Sequence, residues 1–278
     1  MAALSETDTA ATETPETPRK RSPLAWLGKI SPAAWTLLIV LVIWEVSVRV
    51  SNVPVYILPA PSAIVEEIIA YWPRLLYNGG ITLSEVLIGF LFSIVVGVPL
   101  AVLITYSRVA ERAIYPIIVA SQTIPKVAIA PLLMAWFGYG LTPKIVIVVL
   151  LSFFPIVINS VVGLKASSAE MLYLAQSMGA TGWQTFWKFR LPQALPYIFA
   201  GLKLATVLSV IGAVVAEFIG ADQGLGYVIT VAGSTFNITR QFAAIIFISL
   251  IGMVFFSVIE MLERFVVPWK VTPVVASE

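Results

Sequence analysis

Few side chains in this sequence are of a type that does chemistry, and those few sit inside apolar runs. Glu217 lies four residues past Ala213 on a stripe of small residues, Gly201, Ala205, Ser209 and Ala213, and so shares their protein-facing side. An ionisable group in such a run is costly and marks a functional site by default. Three roles are open to it: closing or lining an external gate, capping the turn around Gly220, or pairing with a cation. Gln122, Thr123 and Lys126 surround Pro125, the middle one of three prolines with Pro116 and Pro131, and Asn159 is a lone amide in the next run. Proline inside a membrane helix frees carbonyls, which is tolerated where protein or a water-filled cavity re-satisfies them. These four polar residues therefore either line a solute pathway or fill a kink with a buried partner.

Other chemistry is excluded. The chain has no His and no Cys, which removes the commonest acid–base group and metal ligand, thiol catalysis and disulfides. The only Gly-Lys pair, Gly28-Lys29, is followed by Ile30, so no phosphate-cradling loop of the Gly-x-x-x-x-Gly-Lys-Ser/Thr type is present. Gly-x-Ser-x-Gly is also missing. The sequence predicts no catalytic residues, no metal site and no enzyme activity of its own.

The elements that position these residues are membrane helices. Of 278 residues, 59% are hydrophobic and 12% charged, about half the charged share of a soluble domain. The mean hydropathy is +0.95. A net charge of +2 is too small to suggest nucleic acid. Apolar runs long enough for a bilayer predict six spans, at 33–50, 81–106, 114–137, 143–163, 193–220 and 240–263. The fold class is an all-α polytopic membrane protein with six transmembrane helices. Residues 1–30 read as a disordered tail, 31–80 as the first span plus a helix at the outer interface, 81–265 as the core, and 266–278 as a second tail. The first apolar run begins past residue 30 and lacks an Ala-x-Ala site, which argues against a cleavable signal peptide.

Basic residues set the orientation. With the N-terminus inside, Arg19, Lys20, Arg21, Lys29, Arg108, Arg112, Lys165, Lys188, Arg190, Arg264 and Lys270 are cytoplasmic, eleven of the seventeen. Arg49, Arg74, Lys144 and Arg240 fall outside or at the outer edge. Both termini are then cytoplasmic, in a multi-pass protein of the plasma (inner) membrane. Ser62 is the expected N-cap of the interfacial helix, with Ile64, Ile68 and Trp72 on its apolar face, in lipid or against the spans. Small-residue stripes at Gly89, Ser93, Gly97 and Ala101 and at Gly201 to Ala213 predict close helix packing, within one subunit or across a dimer. Lys203, off the stripe, is expected to snorkel towards the cytoplasm. Glu45–Arg49 and Glu260–Arg264 are read as local helix support.

Between the fourth and fifth spans lies a polar segment, 164–191, with unusual internal order. Ser167 and Glu170 fit a capping box, as do Thr181 and Gln184, with Gly179 between them as a helix stop. Two short helices joined at a glycine elbow are predicted. This segment resembles the cytoplasmic EAA loop of membrane subunits of ATP-binding-cassette importers. Gly179-Ala180 and Leu191-Pro192 match that pattern, while Tyr173-Leu174-Ala175 stands where Glu-Ala-Ala is usual. The likeness extends over roughly residues 33–270. It includes Gln122-Thr123-Ile124-Pro125-Lys126, Trp136-Phe137-Gly138-Tyr139-Gly140 and Gly220-Ala221-Asp222-Gln223-Gly224-Leu225-Gly226-Tyr227. It points to the nitrate/sulfonate/taurine branch, and within it to permeases for pyrimidine-type vitamin precursors or riboflavin.

The resemblance implies a type I importer transmembrane domain, paired with a second copy of itself in the lipid bilayer. It further implies cytoplasmic ATPase subunits, which would bind ATP and Mg, and an external substrate-binding protein. It assigns ATPase coupling to Glu170, Tyr173, Ala175, Met178, Gly179, Ala180, Trp183, Phe186, Leu191 and Pro192. For Trp183 and Phe186 interfacial anchoring stays open, and it is the preferred reading of Trp187. The competing class is an ion-coupled secondary transporter, which calls for an inverted repeat with paired broken helices and buried carboxylates. A structural or assembly subunit is the third.

Overall fold

The computed structural model describes residues 32–269. The readings of the 1–30 tail with Arg19, Lys20, Arg21 and Lys29, of Lys270 and of the rest of the C-terminal tail lie outside the described residues. Within them every regular element is helical. In chain order these are α1 (Pro32–Val50), α2 (Pro61–Ala70), α3 (Trp72–Tyr106), α4 (Arg108–Ser121), a 3₁₀ turn (Lys126–Ile129), α5 (Ala130–Phe137) and α6 (Leu141–Lys165). Then follow α7 (Ala169–Ser177), α8 (Gly182–Thr185), a π-helical turn (Phe186–Arg190), α9 (Leu191–Gly220), α10 (Leu225–Ser234) and α11 (Ile238–Val266).

Five of these, α1, α3, α6, α9 and α11, are long and apolar enough to cross a bilayer. The expected third span, 114–137, is not one helix: α4 and the segment 126–137 meet at 85° and make a sixth crossing only if the bent pair counts as one. The cause is local. Pro125 has no N–H and forces Ile124 out of helical conformation. Ahead of it the amides of Gln122, Thr123 and Ile124 fall back on carbonyls three residues earlier, at 3.2, 3.1 and 3.3 Å. The Thr123 hydroxyl takes the Ala120 carbonyl as well, at 2.8 Å.

Helix α6 is the centre of the molecule. Both small-residue stripes face it, so the close packing is within one subunit. On the α3 side Ser93 Oγ and Ser152 Oγ hydrogen-bond at 2.7 Å, with Gly89 against Val148 and Gly97 against Ile156. On the α9 side a Cβ at Gly201 would come within 2.8 Å of both the Pro155 carbonyl and Asn159 Cβ. Where lipid tails are as apolar as leucine, this kind of backbone approach is what holds helices together.

Helix α2 does lie along the bundle. Ile64 is buried, and Trp72, which starts α3, stacks edge-on against Phe247 with centroids 5.3 Å apart. Its cap corrects the expectation. The helix begins at Pro61, and Ser62 caps nothing. Instead Glu45 of α1 accepts the Ser62 N–H at 3.0 Å and its hydroxyl at 2.8 Å. The Glu45–Arg49 pair is thus part of a cap between two helices rather than support for one. Glu260–Arg264, at 2.8 Å and exposed, is the local pair expected.

Lys203 also departs from expectation. It does not snorkel; its Nζ meets Glu263 Oε2 of α11 at 2.6 Å. The pair is mostly buried, Lys203 22% and Glu263 6% exposed. Removing one member of such a pair strands the other in low dielectric, at about 3–5 kcal/mol. Lys203→Met is therefore expected to lower the unfolding midpoint in detergent, and Lys203→Met with Glu263→Leu to recover most of the loss. Additive losses in the double variant would refute the pairing.

Candidate functional site

The 164–191 segment folds as two arms about an elbow, with most of its termini satisfied by its own atoms. Ser168, not Ser167, caps α7, accepting the Met171 N–H at 3.3 Å. Ser167 Oγ is buried without a partner and Glu170 stands one position early for a reciprocal box, facing solvent. At the other end Gly179 takes φ +74°. The Gly179 N–H reaches the Gln176 carbonyl at 2.9 Å and the Ala180 N–H the Ala175 carbonyl at 3.0 Å. This is the Schellman closure, which requires a residue at ease in the left-handed region. The second box forms as expected: Thr181 Oγ1 accepts the Gln184 N–H at 3.3 Å, and Gln184 Oε1 accepts the Thr181 N–H at 2.9 Å.

The two arms differ mechanically. After α8 the Leu191 N–H bonds to the Phe186 carbonyl five residues back, one widened turn that continues straight into α9. Pro192 supplies the reason, since it has no N–H for the regular bond to Lys188. So α8 and α9 form one rod, while α7 hangs from the elbow, tied back by Gln193 Nε2 to Met171 Sδ at 3.0 Å. Phe186 is half-buried and stacks on Tyr106 at the end of α3, centroids 5.9 Å apart, with Arg190 over the same ring at 5.1 Å.

Several large apolar side chains of this otherwise polar segment are exposed. Tyr173, Met178 and Trp183 are 69%, 76% and 70% exposed, with Trp187 beside Trp183. Of the remaining coupling residues, Ala175 is wholly buried inside the segment, and Ala180, Leu191 and Pro192 are half-buried. These four shape the segment rather than its face.

The five polar residues assigned to a pathway do not converge. Gln122 and Thr123 are exposed at the bend. Lys126 bonds back to the Gln122 carbonyl at 3.4 Å and sits 4.5 Å over the Phe154 ring. Asn159 donates to the Pro155 carbonyl at 2.8 Å and packs on Gly201. Glu217 is at the far end of α9, fully buried, and caps α10: its Oε2 accepts the Gly226 N–H at 2.6 Å and its Oε1 the Thr82 hydroxyl at 2.7 Å. Asn78 and Thr82 accept the Gly224 and Leu225 amides at 2.8 and 2.9 Å. The glycines of 220–226 let Glu217 approach this backbone, because a Cβ at Gly226 would lie 2.8 Å from Glu217 Cβ.

Sequence reasoning missed a buried ion pair between α3 and α6. Lys144, expected at the outer edge, is 5% exposed and bonded to Glu85 Oε1 at 2.7 Å. A signal existed. Glu85 stands four residues before Gly89, one step up the first small-residue stripe, as Glu217 stands one step along the second.

Comparison with known proteins agrees with these observations. The sequence pattern of the binding-protein-dependent transport system inner membrane component matches residues 89–268. The chain belongs to that family, and is a membrane-embedded permease component of a transporter. A formylaminopyrimidine transport permease protein (ThiX) of Halalkalibacterium halodurans is 41% identical, over 84% of this chain and 93% of that one. A riboflavin transport system permease protein (RibX) of Chloroflexus aurantiacus is 35% identical, over 84% and 88%. A taurine transport system permease protein (TauC) of Escherichia coli is 27% identical, over 84% and 88%. Among solved structures, an inward-facing conformation of the MetNI methionine ABC transporter matches with a TM-score of 0.57 at 22% identity, covering 66% of this chain and 92% of that one. The fold is that of an ABC importer membrane domain, and the secondary-transporter reading falls away.

Proposed function

We propose that this chain is one half of a translocation pathway, works as a pair of copies, and is driven through residues 164–191 by a cytoplasmic ATPase that binds ATP and Mg. The carrying observation is the continuity of α8 with α9: a push on Trp183 or Phe186 is delivered as a displacement of a 39-residue helical rod. Tyr173, Met178 and Trp183 form the docking face, Glu170 flanks it, and Gly179 with Ala180 fixes the angle between the arms. Both termini then lie in the cytoplasm, as the basic-residue count requires. An external substrate-binding protein delivers the solute at the opposite end, where α10 is held by Glu217. Gln122, Thr123 and Lys126 are the pathway groups of the bend; Asn159 is a packing residue.

The relatives named for formylaminopyrimidine and riboflavin make a pyrimidine-bearing solute the first to test on the binding protein. For the coupling itself, the chain purified from its own membrane is expected to bring an ATPase with it in equal copies, and transport is expected to require ATP. Met178→Asp, which puts a charge in the docking face, is expected to weaken that association about tenfold or more, about 1.4 kcal/mol. A monodisperse chain that transports without ATP would overturn the proposal.

A further inference from the structure

The ends of α6 and α9 farthest from the 164–191 segment border a polar cavity that the coupling mechanism leaves unused. It holds about 370 Å³ and is lined by Tyr139, Gly140, Lys144, Gly220, Ala221 and Asp222. That volume falls within the roughly 300–1,000 Å³ of small-molecule sites. The turn between α5 and α6 brings Tyr139 there. Gly138 and Gly140 hold φ +75° and +146°, and a Cβ on either would meet open space, so backbone conformation rather than crowding calls for glycine. A Cβ on Gly220 would lie 2.7 Å from Tyr139 Cε1. One edge of the ring therefore rests on the backbone at the end of α9, while the residue stays 81% exposed.

The charged groups of the cavity are unequally engaged. Lys144 is 5% exposed, and its ammonium carries three N–H donors. Glu85 Oε1 takes one of them at 2.7 Å; among the described residues the other two have no acceptor. Asp222 is exposed and forms no ion pair among the described residues. Arg74 and Arg240 line a separate cavity, with Arg240 held by Glu67. Lys144 and Glu85 cancel, so Asp222 leaves the cavity with a net negative charge. It offers unused donors, a carboxylate acceptor and an aromatic ring.

We infer that this cavity is a solute subsite at the outer mouth of the pathway, selective for a small, uncharged, amino-substituted heteroaromatic ring over an anion. The inference rests on the proposed reading of the chain as half of a solute pathway and narrows the class of solute. The ring stacks on Tyr139, a ring nitrogen or carbonyl accepts from Lys144, and the exocyclic amine donates to Asp222. A sulfonate or nitrate would meet the Asp222 carboxylate, with the Lys144 charge already committed to Glu85. Such like-charge opposition is how a site rejects the wrong partner. Gly220 ends the α8–α9 rod, so the element that receives the push also forms one side of the subsite.

Saturation-transfer NMR on the full-length chain in lipid nanodiscs, with empty nanodiscs as the blank, tests the subsite using cytosine and ethanesulfonate as probes. Cytosine is expected to bind, and excess ethanesulfonate not to displace it. Tyr139→Ala is expected to weaken cytosine binding about tenfold or more, and Tyr139→Phe, which keeps the ring, to retain it. Asp222→Lys, at an exposed position, is expected to reverse the preference in favour of ethanesulfonate, and it decides the matter alone should Tyr139→Ala not fold. The subsite is overturned by no cytosine signal in the wild type, by displacement with ethanesulfonate, by unchanged binding in Tyr139→Ala, or by an unchanged preference in Asp222→Lys. None of these measurements involves the ATPase, whose co-purification is scored separately. Failure of the subsite and failure of the coupling reading are thereby told apart.

Discussion

Replacing Gly179 with valine is expected to cut solute transport about tenfold or more while the assembled ATPase keeps hydrolysing ATP. The residue is held at φ +74°, where a β-branched side chain is a steric outlier costing on the order of 1–3 kcal/mol. Space is not the problem, because a Cβ there meets nothing within 4 Å. The strain is in the backbone, and relieving it means breaking the Gly179 and Ala180 bonds that close α7 and set the direction in which Thr181 starts α8. A loop with a loosened elbow still offers Trp183 to a partner but no longer fixes the arm carrying Met178. Gly179→Asn, which tolerates the left-handed region, is the control and is expected to retain most transport. Paired measurements of ATP turnover and uptake in proteoliposomes separate the outcomes. Equal transport by Gly179→Val and wild type would remove the elbow from the mechanism.

Gly201→Leu is expected to have the largest effect on stability, about 3 kcal/mol or more, and to abolish recovery of folded protein from the membrane. Its Cβ alone would lie 2.8 Å from the Pro155 carbonyl oxygen and from Asn159 Cβ. A side-chain tip can swing away, but a backbone oxygen retreats only if α6 bends. Helix α6 is held from its other face by Ser93 and Val86, so it has nowhere to go. Gly80, where an added methyl group would meet only open space, is the matched control: Gly80→Ala is expected to be nearly neutral. Thermal unfolding in detergent with a size-exclusion readout distinguishes the two. A well-folded Gly201→Leu would contradict the packing of α9 on α6.

What the sequence made legible was whatever repeats at helical spacing. The four-residue stripes on α3 and α9 announced their packing, though not that both would press on α6, because a stripe carries no address for its partner. Thr181, Gln184 and Gly179 announced the elbow because caps are local: each bond spans five residues or fewer. The cap at Ser168 was missed by one position, since Ser167 and Ser168 are chemically equivalent and only the observed helix start decides between them. Ser62 misled for a related reason; its hydroxyl is drawn to Glu45, a partner seventeen positions away.

Long-range pairs were the least legible. Lys203 with Glu263 and Lys144 with Glu85 each join residues about sixty positions apart. Nothing in a single apolar run says which distant run carries the counter-charge. Glu85 could still have been recognised, because it extends the same stripe logic that singled out Glu217. The break at Pro125 was foreseen as a kink within one span. The 85° between its arms arises because the pre-proline restriction at Ile124 and the three hydrogen bonds that reach only three residues back act together.

Whether the elbow segment lies in the cytoplasm and is pressed on by an ATPase can be tested directly. The native chain has no cysteine, so Met178→Cys places a single thiol on the docking face without any background to remove. In inverted membrane vesicles carrying the intact assembly, a short thiol-to-amine crosslinker is expected to join that residue to the ATPase in high yield, and less when ATP is trapped on the complex or in Gly179→Val. Labelling of the same thiol only from the opposite side of the membrane, or efficient labelling with no crosslink to any partner, would contradict the account.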